Sequence, residues 1–182
     1  MLRLNIGCGI NKLPDFINID SDSSVEPDLV LDVTKGLPYQ DDSVDKIYFS
    51  HTIEHIVERY HGIILEEFWR VLIPGGMLFI SYPEFTVVAQ NYIDNVHGNR
   101  DYWKATIYGR QLNDKDFHVA LMDTRYLEVI LKQIGFDPIH SKPEPKNPYN
   151  SMIKCFKSKQ QMTYEDVLKK EIFGDDTGHV SG

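Results

Sequence analysis

An α/β domain, with a mostly parallel seven-stranded sheet sandwiched as the middle of three layers, is what the sequence predicts. Three observations carry this reading. Short apolar runs alternate with segments of helical period. The early runs end on a glycine turn or a carboxylate. The last amphipathic segment is followed by two apolar runs joined by a proline-rich turn, which makes a hairpin and so one antiparallel strand.

Taken in order, residues 2–6 are stopped at once by Gly7-Cys8-Gly9, the pattern of a buried strand ending in a tight turn. Residues 16–19 lead to Asp20, and residues 28–31 lead to Asp32. Asp20 lies only eleven positions after Gly9, too few for a full helix, so the first crossover is abbreviated, with Leu13-Pro14-Asp15 as a loop or single turn. Residues 45–50 carry Ile47, Tyr48 and Phe49 and form a fourth strand. Ile64, Leu65, Phe68, Trp69 and Leu72 line one face of a helix over 63–72, which Pro74-Gly75-Gly76 should stop. Residues 77–82 are the fifth strand, closed by Pro83.

Residues 84–122 are the least regular stretch. They mix a helix over 87–93 with Tyr102, Trp103, Tyr108 and His118, and read as a lid-like insertion. Leu127, Ile130, Leu131 and Ile134 then make an i, i+3, i+4, i+7 stripe, with Asp123 or Thr124 to cap its start and Gly135 to end it. Residues 136–140 and 152–156 are the hairpin strands. Thr163 and Asp166 open a final helix to Phe173, followed by a polar tail from Gly174. The expected organisation is one domain over 1–160 and a helix with its tail over 161–182.

Composition narrows the function. Lys and Arg total 19 against 27 for Asp and Glu, a net charge of −8 that disfavours a phosphate backbone as partner. The densest basic run, Lys154, Lys157 and Lys159, reads as one solvated strand edge. Cys8 and Cys155 cannot build a disulfide framework and suit a reducing cytoplasm. No apolar run approaches the roughly 18 residues of a membrane span, and none resembles a leader. Oligomeric state is not legible.

In open α/β sheets, ligands sit outside the carboxyl ends of the strands near the switch in strand order. Gly7 to Gly9, Asp20, Asp32 and Ser50-His51 all fall at such ends, so four segments converge on one crevice. These residues resemble those of the class I S-adenosylmethionine-dependent methyltransferases, in particular a small bacterial type, over residues 2–158. The resemblance implies a Rossmann-like fold and S-adenosyl-L-methionine as cofactor. Gly7, Cys8 and Gly9 would let the backbone approach its methionine part, with Asn5 where the family often carries an acid. Asp20, with Ser21 beside it, would hold the ribose. Asp32 and the backbone of Val33 would receive the adenine, and Ser50 and His51 would line the methionine pocket. Arg70-Val71-Leu72 with Pro74-Gly75-Gly76 resembles the turn before the family's fifth strand.

On the acceptor side, the resemblance places a histidine near His118, the preferred general base, with Tyr108 and Tyr82 as further candidates and Glu84 as a group for a polar or cationic acceptor. The acceptor expected is a small molecule, sugar or lipid-linked intermediate, and nucleic acid is not expected. Methyl transfer by in-line displacement needs no metal, and none is expected.

Three other readings compete. A dinucleotide-binding protein would need glycine where Lys12 stands. A zinc-dependent hydrolase could use His51-Thr52-Ile53-Glu54-His55, an H-x-x-E-H pattern with His61 nearby, although a third ligand is not evident. A noncatalytic nucleoside-binding module of the same fold would accommodate Asn5 and the missing helix. Asn147-Pro148-Tyr149 reads as a turn.

Overall fold

The computed structural model describes residues 1–158. The final helix expected from Thr163 and the tail after it lie outside the described residues. Seven strands form one sheet: β1 (Leu2–Ile6), β2 (Ile17–Asp20), β3 (Leu29–Val30), β4 (Val44–Ser50), β5 (Leu72–Pro83), β6 (Phe136–Pro143) and β7 (Asn150–Lys157). Their spatial order is β3-β2-β1-β4-β5-β7-β6. β7 runs antiparallel to both β5 and β6, and the other pairs are parallel. The order reverses between β1 and β4, which puts the switch point beside the Gly7 turn.

Among the described residues four α-helices accompany the sheet: α1 (His61–Val71), α2 (Phe85–Ile93), α3 (Arg100–Tyr108) and α4 (Thr124–Ile134). Strand period two sends Leu4, Ile6, Ile47, Phe49, Leu78, Ile80 and Ile153 into the core, where they meet Ile64, Leu65 and Phe68 of α1 and Leu127 and Leu131 of α4. α4 has the caps its sequence suggests. Asp123 accepts the Tyr126 N–H at 2.8 Å, and Gly135 closes the helix in the left-handed region.

The first crossover lacks a helix altogether, and residues 7–16 are turns and loop. Two expectations need correction. The helix after β4 ends at Val71, before Pro74-Gly75-Gly76, because Leu72 is already extended and pairs with Val44. The Pro-Gly-Gly segment is instead a bulge inside β5, across which the register jumps from Val44↔Leu72 to Lys46↔Met77. Lys157 is not a solvated edge residue: it is 6% exposed, donates to Asp42 Oδ1 at 2.6 Å and lies 3.9 Å above the Trp69 ring.

The stretch 84–122 is more ordered than its sequence suggests. α2 packs on α3, and Trp103 is buried edge-on against Tyr102 and Tyr149, with its indole N–H on the Val96 carbonyl at 3.0 Å. Tyr102 and Tyr149 also share a hydroxyl–hydroxyl hydrogen bond, which fastens α3 to the end of the hairpin.

Candidate active site

β1 ends in a turn held by β2. The N–H groups of Gly7 and Cys8 both donate to the Ile19 carbonyl, at 2.8 and 3.1 Å, and Gly9 N–H donates to Asp20 Oδ2 at 2.8 Å. Gly7 has φ +68°, and a Cβ there would lie 2.1 Å from Thr52 Oγ1. Gly9 has φ +48° with no atom within 4 Å of such a Cβ, so open space stands over the turn. The other Asp20 oxygen accepts the Asp22 N–H at 2.8 Å. Each carboxylate oxygen thus has one main-chain donor and keeps lone-pair capacity for another. An open glycine turn beside such a carboxylate is a fit for a nucleoside with a polar chain. Cys8 is buried beneath, its thiol pushed up by burial and by the Asp20 charge. Ser21 is exposed next to the acid.

Asn5 serves the interior. Its amide donates to the Asn11 carbonyl at 3.1 Å and to Asn18 Oδ1 at 2.8 Å, and that same oxygen takes the Leu13 N–H at 2.8 Å. This amide relay pins the loop that stands where a crossover helix would be. Asp32 caps the 3-10 turn Val33–Lys35, accepting the Thr34 N–H and hydroxyl at 3.0 and 2.7 Å. The Thr34 hydroxyl bond holds its carboxyl below the usual range despite some burial. Val33 is buried under the turn.

At the end of β4, Ser50 Oγ meets Ser81 Oγ at 2.6 Å. His51 follows in the left-handed region, φ +49°, with its N–H on the Ser81 carbonyl and its Nδ1 3.2 Å from Glu54 Oε1. Burial pulls its imidazole down, but the Glu54 hydrogen bond and charge outweigh that and raise it. The H-x-x-E-H segment is therefore not helical beyond the single 3-10 turn Ile53–His55, and His51 and His55 do not share a helix face. The geometry assumed by the zinc-hydrolase reading is absent. His61 is also committed elsewhere: buried, it faces the Ile53 and Ile56 carbonyls with Nε2 and Tyr126 with Nδ1.

His118 joins this segment from the lid. Its ring lies edge-on to that of His55, centroids 4.8 Å apart, and its Nδ1 donates to the Thr106 carbonyl at 2.9 Å. The Glu54 carbonyl accepts the N–H groups of Val119 and Ala120, which clamps the chain after His118 to the β4 end. Burial lowers the His118 pKa, favouring the neutral ring with its lone pair on Nε2. The other acceptor-side candidates differ. Tyr108 is 58% exposed, and it is its carbonyl that takes the His118 N–H. Tyr82 is fully buried, and burial pushes its phenol well up, which unsuits it as a base. Glu84 is 7% exposed and engaged by Thr86, Ser151 and the N–H and hydroxyl of Thr124, so it pins α4 to β5 from a buried position.

Between Tyr108 and His118 the chain reaches outward, and Lys115 Nζ donates to the Ser21 carbonyl at 3.1 Å. The lid thus touches the residue after β2 at Lys115 and the segment after β4 at Val119 and Ala120, and β1 lies between those two strands. A groove of about 730 Å³ runs along Val33, Lys35, Asp41, Glu66 and Arg70; it shares Val33 with the proposed site, and no residue of the glycine turn lines it. Sequence reasoning read Glu54 and His55 with His51 as a zinc pattern and missed their meeting with His118 and the packing of Thr52 against Gly7. Their signal was the H-x-x-E-H segment, whose partner His118 is too distant in sequence to be read with it.

A methyltransferase domain family model matches residues 6–80. No curated protein sequence matches the chain. Solved structures share its fold. A methyltransferase dependent on S-adenosylmethionine from Archaeoglobus fulgidus is 16% identical, with 85% of each chain covered and a TM-score of 0.64. One from Methanosarcina mazei is 17% identical, covering 87% of this chain and 92% of that one, with a TM-score of 0.62. One from Thermotoga maritima, described as a possible histamine N-methyltransferase, is 16% identical, covering 86% and 82%, with a TM-score of 0.61.

Proposed function

We propose that this chain is an S-adenosylmethionine-dependent methyltransferase, a reading its matched domain and its fold support, and that it methylates a small-molecule acceptor entering between the β4 end and the lid. The observation that carries the reading is the Gly9 N–H on Asp20 Oδ2, which joins an open glycine turn to a strand-end acid with spare lone pairs. Gly7, Cys8 and Gly9 would cradle the methionine end, Asp20 and Ser21 the ribose, Asp32 and Val33 the adenine, and Ser50 and His51 the far wall. The cofactor supplies an activated methyl and its own leaving group, so the chain's work is alignment and exclusion of water.

On the acceptor side His118 presents an electron-pair donor from a ring fixed at Nδ1, and the exposed Tyr108 would be the further candidate. The net charge of −8 favours a small neutral or cationic acceptor over nucleic acid. Two free, buried cysteines suit the reducing cytoplasm as its place of action. Calorimetry with S-adenosylhomocysteine and with NAD tests the reading: saturable binding of the first alone supports it, and binding of NAD alone overturns it. A panel of amines, hydroxyl compounds and carboxylates with labelled cofactor then identifies the acceptor class.

A further inference from the structure

We infer that Glu54, His55 and His118 form a binding site for one divalent transition-metal ion of borderline softness, of the zinc and cobalt class. Ligand atoms of these three side chains lie within 4.8 Å of one another among the described residues. Glu54 is 1% exposed, and its Oε2 is buried with no hydrogen-bond partner. A buried carboxylate oxygen left unpaired is costly, and a cation offsets that cost. The two imidazoles are set as metal ligands usually are. Each Nδ1 faces a main-chain carbonyl at 2.9 Å, His55 on Phe117 and His118 on Thr106, so each Nδ1 carries the proton and each Nε2 the lone pair.

The donor set is two imidazoles and one carboxylate. That combination suits zinc or cobalt better than magnesium or calcium, which prefer all-oxygen shells. Three protein ligands leave at least one coordination position for water or another oxygen ligand. Ligand atoms about 2.1 Å from a tetrahedral ion stand about 3.4 Å apart, so the side chains would draw together by roughly an ångström on loading. The rest of the neighbourhood holds the site without joining it. His51 engages the other Glu54 oxygen, and the Glu54 carbonyl fastens Val119 and Ala120. The site differs from the one the H-x-x-E-H pattern suggests: it takes His118 from the lid in place of His51.

The test is a titration of the chelator-treated full-length protein with Co²⁺, followed by visible d–d absorption and by elemental analysis after gel filtration. One equivalent with a low-symmetry d–d band is expected in the parent. His118→Ala and Glu54→Gln should each weaken binding by more than about tenfold, while His140→Ala, which removes an exposed histidine on β6, should leave it unchanged. Circular dichroism confirms that each variant is folded. His118→Ala lies on a loop and keeps the test valid even where Glu54→Gln does not fold. No stoichiometric Co²⁺ in the folded parent, or equal affinity in the parent and His118→Ala, would overturn the inference. With an ion bound the His118 Nε2 lone pair lies on the metal, so the base role proposed above belongs to the metal-free protein; neither readout involves S-adenosylmethionine, and failure here leaves the methyltransferase reading standing.

Discussion

Thr52 occupies the space into which any side chain on Gly7 would project, and Gly9, two residues on, faces nothing. The two glycines of one turn therefore do different work. Gly7 lets the β1 turn pack against the segment after β4, whereas Gly9 keeps the ligand side of that turn clear. Gly7→Ala should lower stability by about 1 to 3 kcal/mol through backbone strain and collision with Thr52. Gly9→Ala should melt closer to the parent but bind S-adenosylhomocysteine more weakly than its melting change explains. Thermal melts and calorimetry on both variants check the contrast.

Asp20 and Asn5 should separate in the same way. Asp20→Ala removes the carboxylate proposed to hold the ribose, so S-adenosylhomocysteine binding should weaken by roughly ten- to a hundredfold, the equivalent of about 1.5 to 3 kcal/mol. Asn5→Ala breaks the relay to Asn11 and Asn18 and should appear first as a loss of about 1 to 2 kcal/mol in stability. Equal binding losses in the two variants would show that Asp20 is only a clamp for the turn.

Gly109, at the C-terminus of α3, adopts φ +79°, and a Cβ there would lie 1.9 Å from the Asp116 carbonyl oxygen. Gly109→Ala should force open the 109–118 loop and displace His118 without touching the glycine turn. Turnover should fall on the order of 10²-fold once an acceptor is in hand, with S-adenosylhomocysteine affinity within a few-fold of the parent. Nuclear magnetic resonance of the histidine side chains would report the displacement directly.

Lys157 sits between Trp69 and Asp42, and Lys157→Ala strips both contacts together. A loss of about 2 kcal/mol in denaturant stability is expected. Lys157→Met should recover part of it by restoring contact with the Trp69 ring.

Glu67 accepts two hydrogen bonds from Arg70 and the Leu37 N–H, and the Arg70 bonds hold its carboxyl below the usual range against partial burial. A depressed folded-state pKa adds stability that is present above the unfolded value of about 4.3 and is lost as pH falls through the folded one. The melting difference between the parent and Glu67→Gln should therefore be full at neutral pH and shrink under acid, below about pH 4.

Strand positions were legible because each apolar run has clear punctuation: Gly7 after β1, Asp20 at the end of β2, Pro83 at the end of β5. α4 was legible for the same reason, with its apolar stripe between Asp123 and Gly135. Pro74-Gly75-Gly76 misled because proline and glycine signal a break without saying whether the chain turns or bulges, and only pairing with Val44 and Lys46 decides. Lys157 misled because a lone charge reads as solvated until Trp69, from another element, is seen beneath it. Within the site, the glycine turn and its acids are local features and could be read. The meeting of Glu54, His55 and His118 depends on main-chain bonds from Val119 and Ala120 to Glu54, which no spacing encodes.

The loop over 109–118 bears on the timing of the reaction as well as its geometry. It is tethered at its far side by Lys115, whose exposed ammonium touches the Ser21 carbonyl and stands 3.9 Å from Asp22. Exposed contacts of that kind are weak and fade as ionic strength rises. With the cofactor at the glycine turn, as proposed, its spent form would leave past this strap, and its escape rate should quicken with added salt. Under steady state, an enzyme limited by that exit would show a kcat that climbs with salt, while its methyl-transfer step, seen in a single turnover, stays flat.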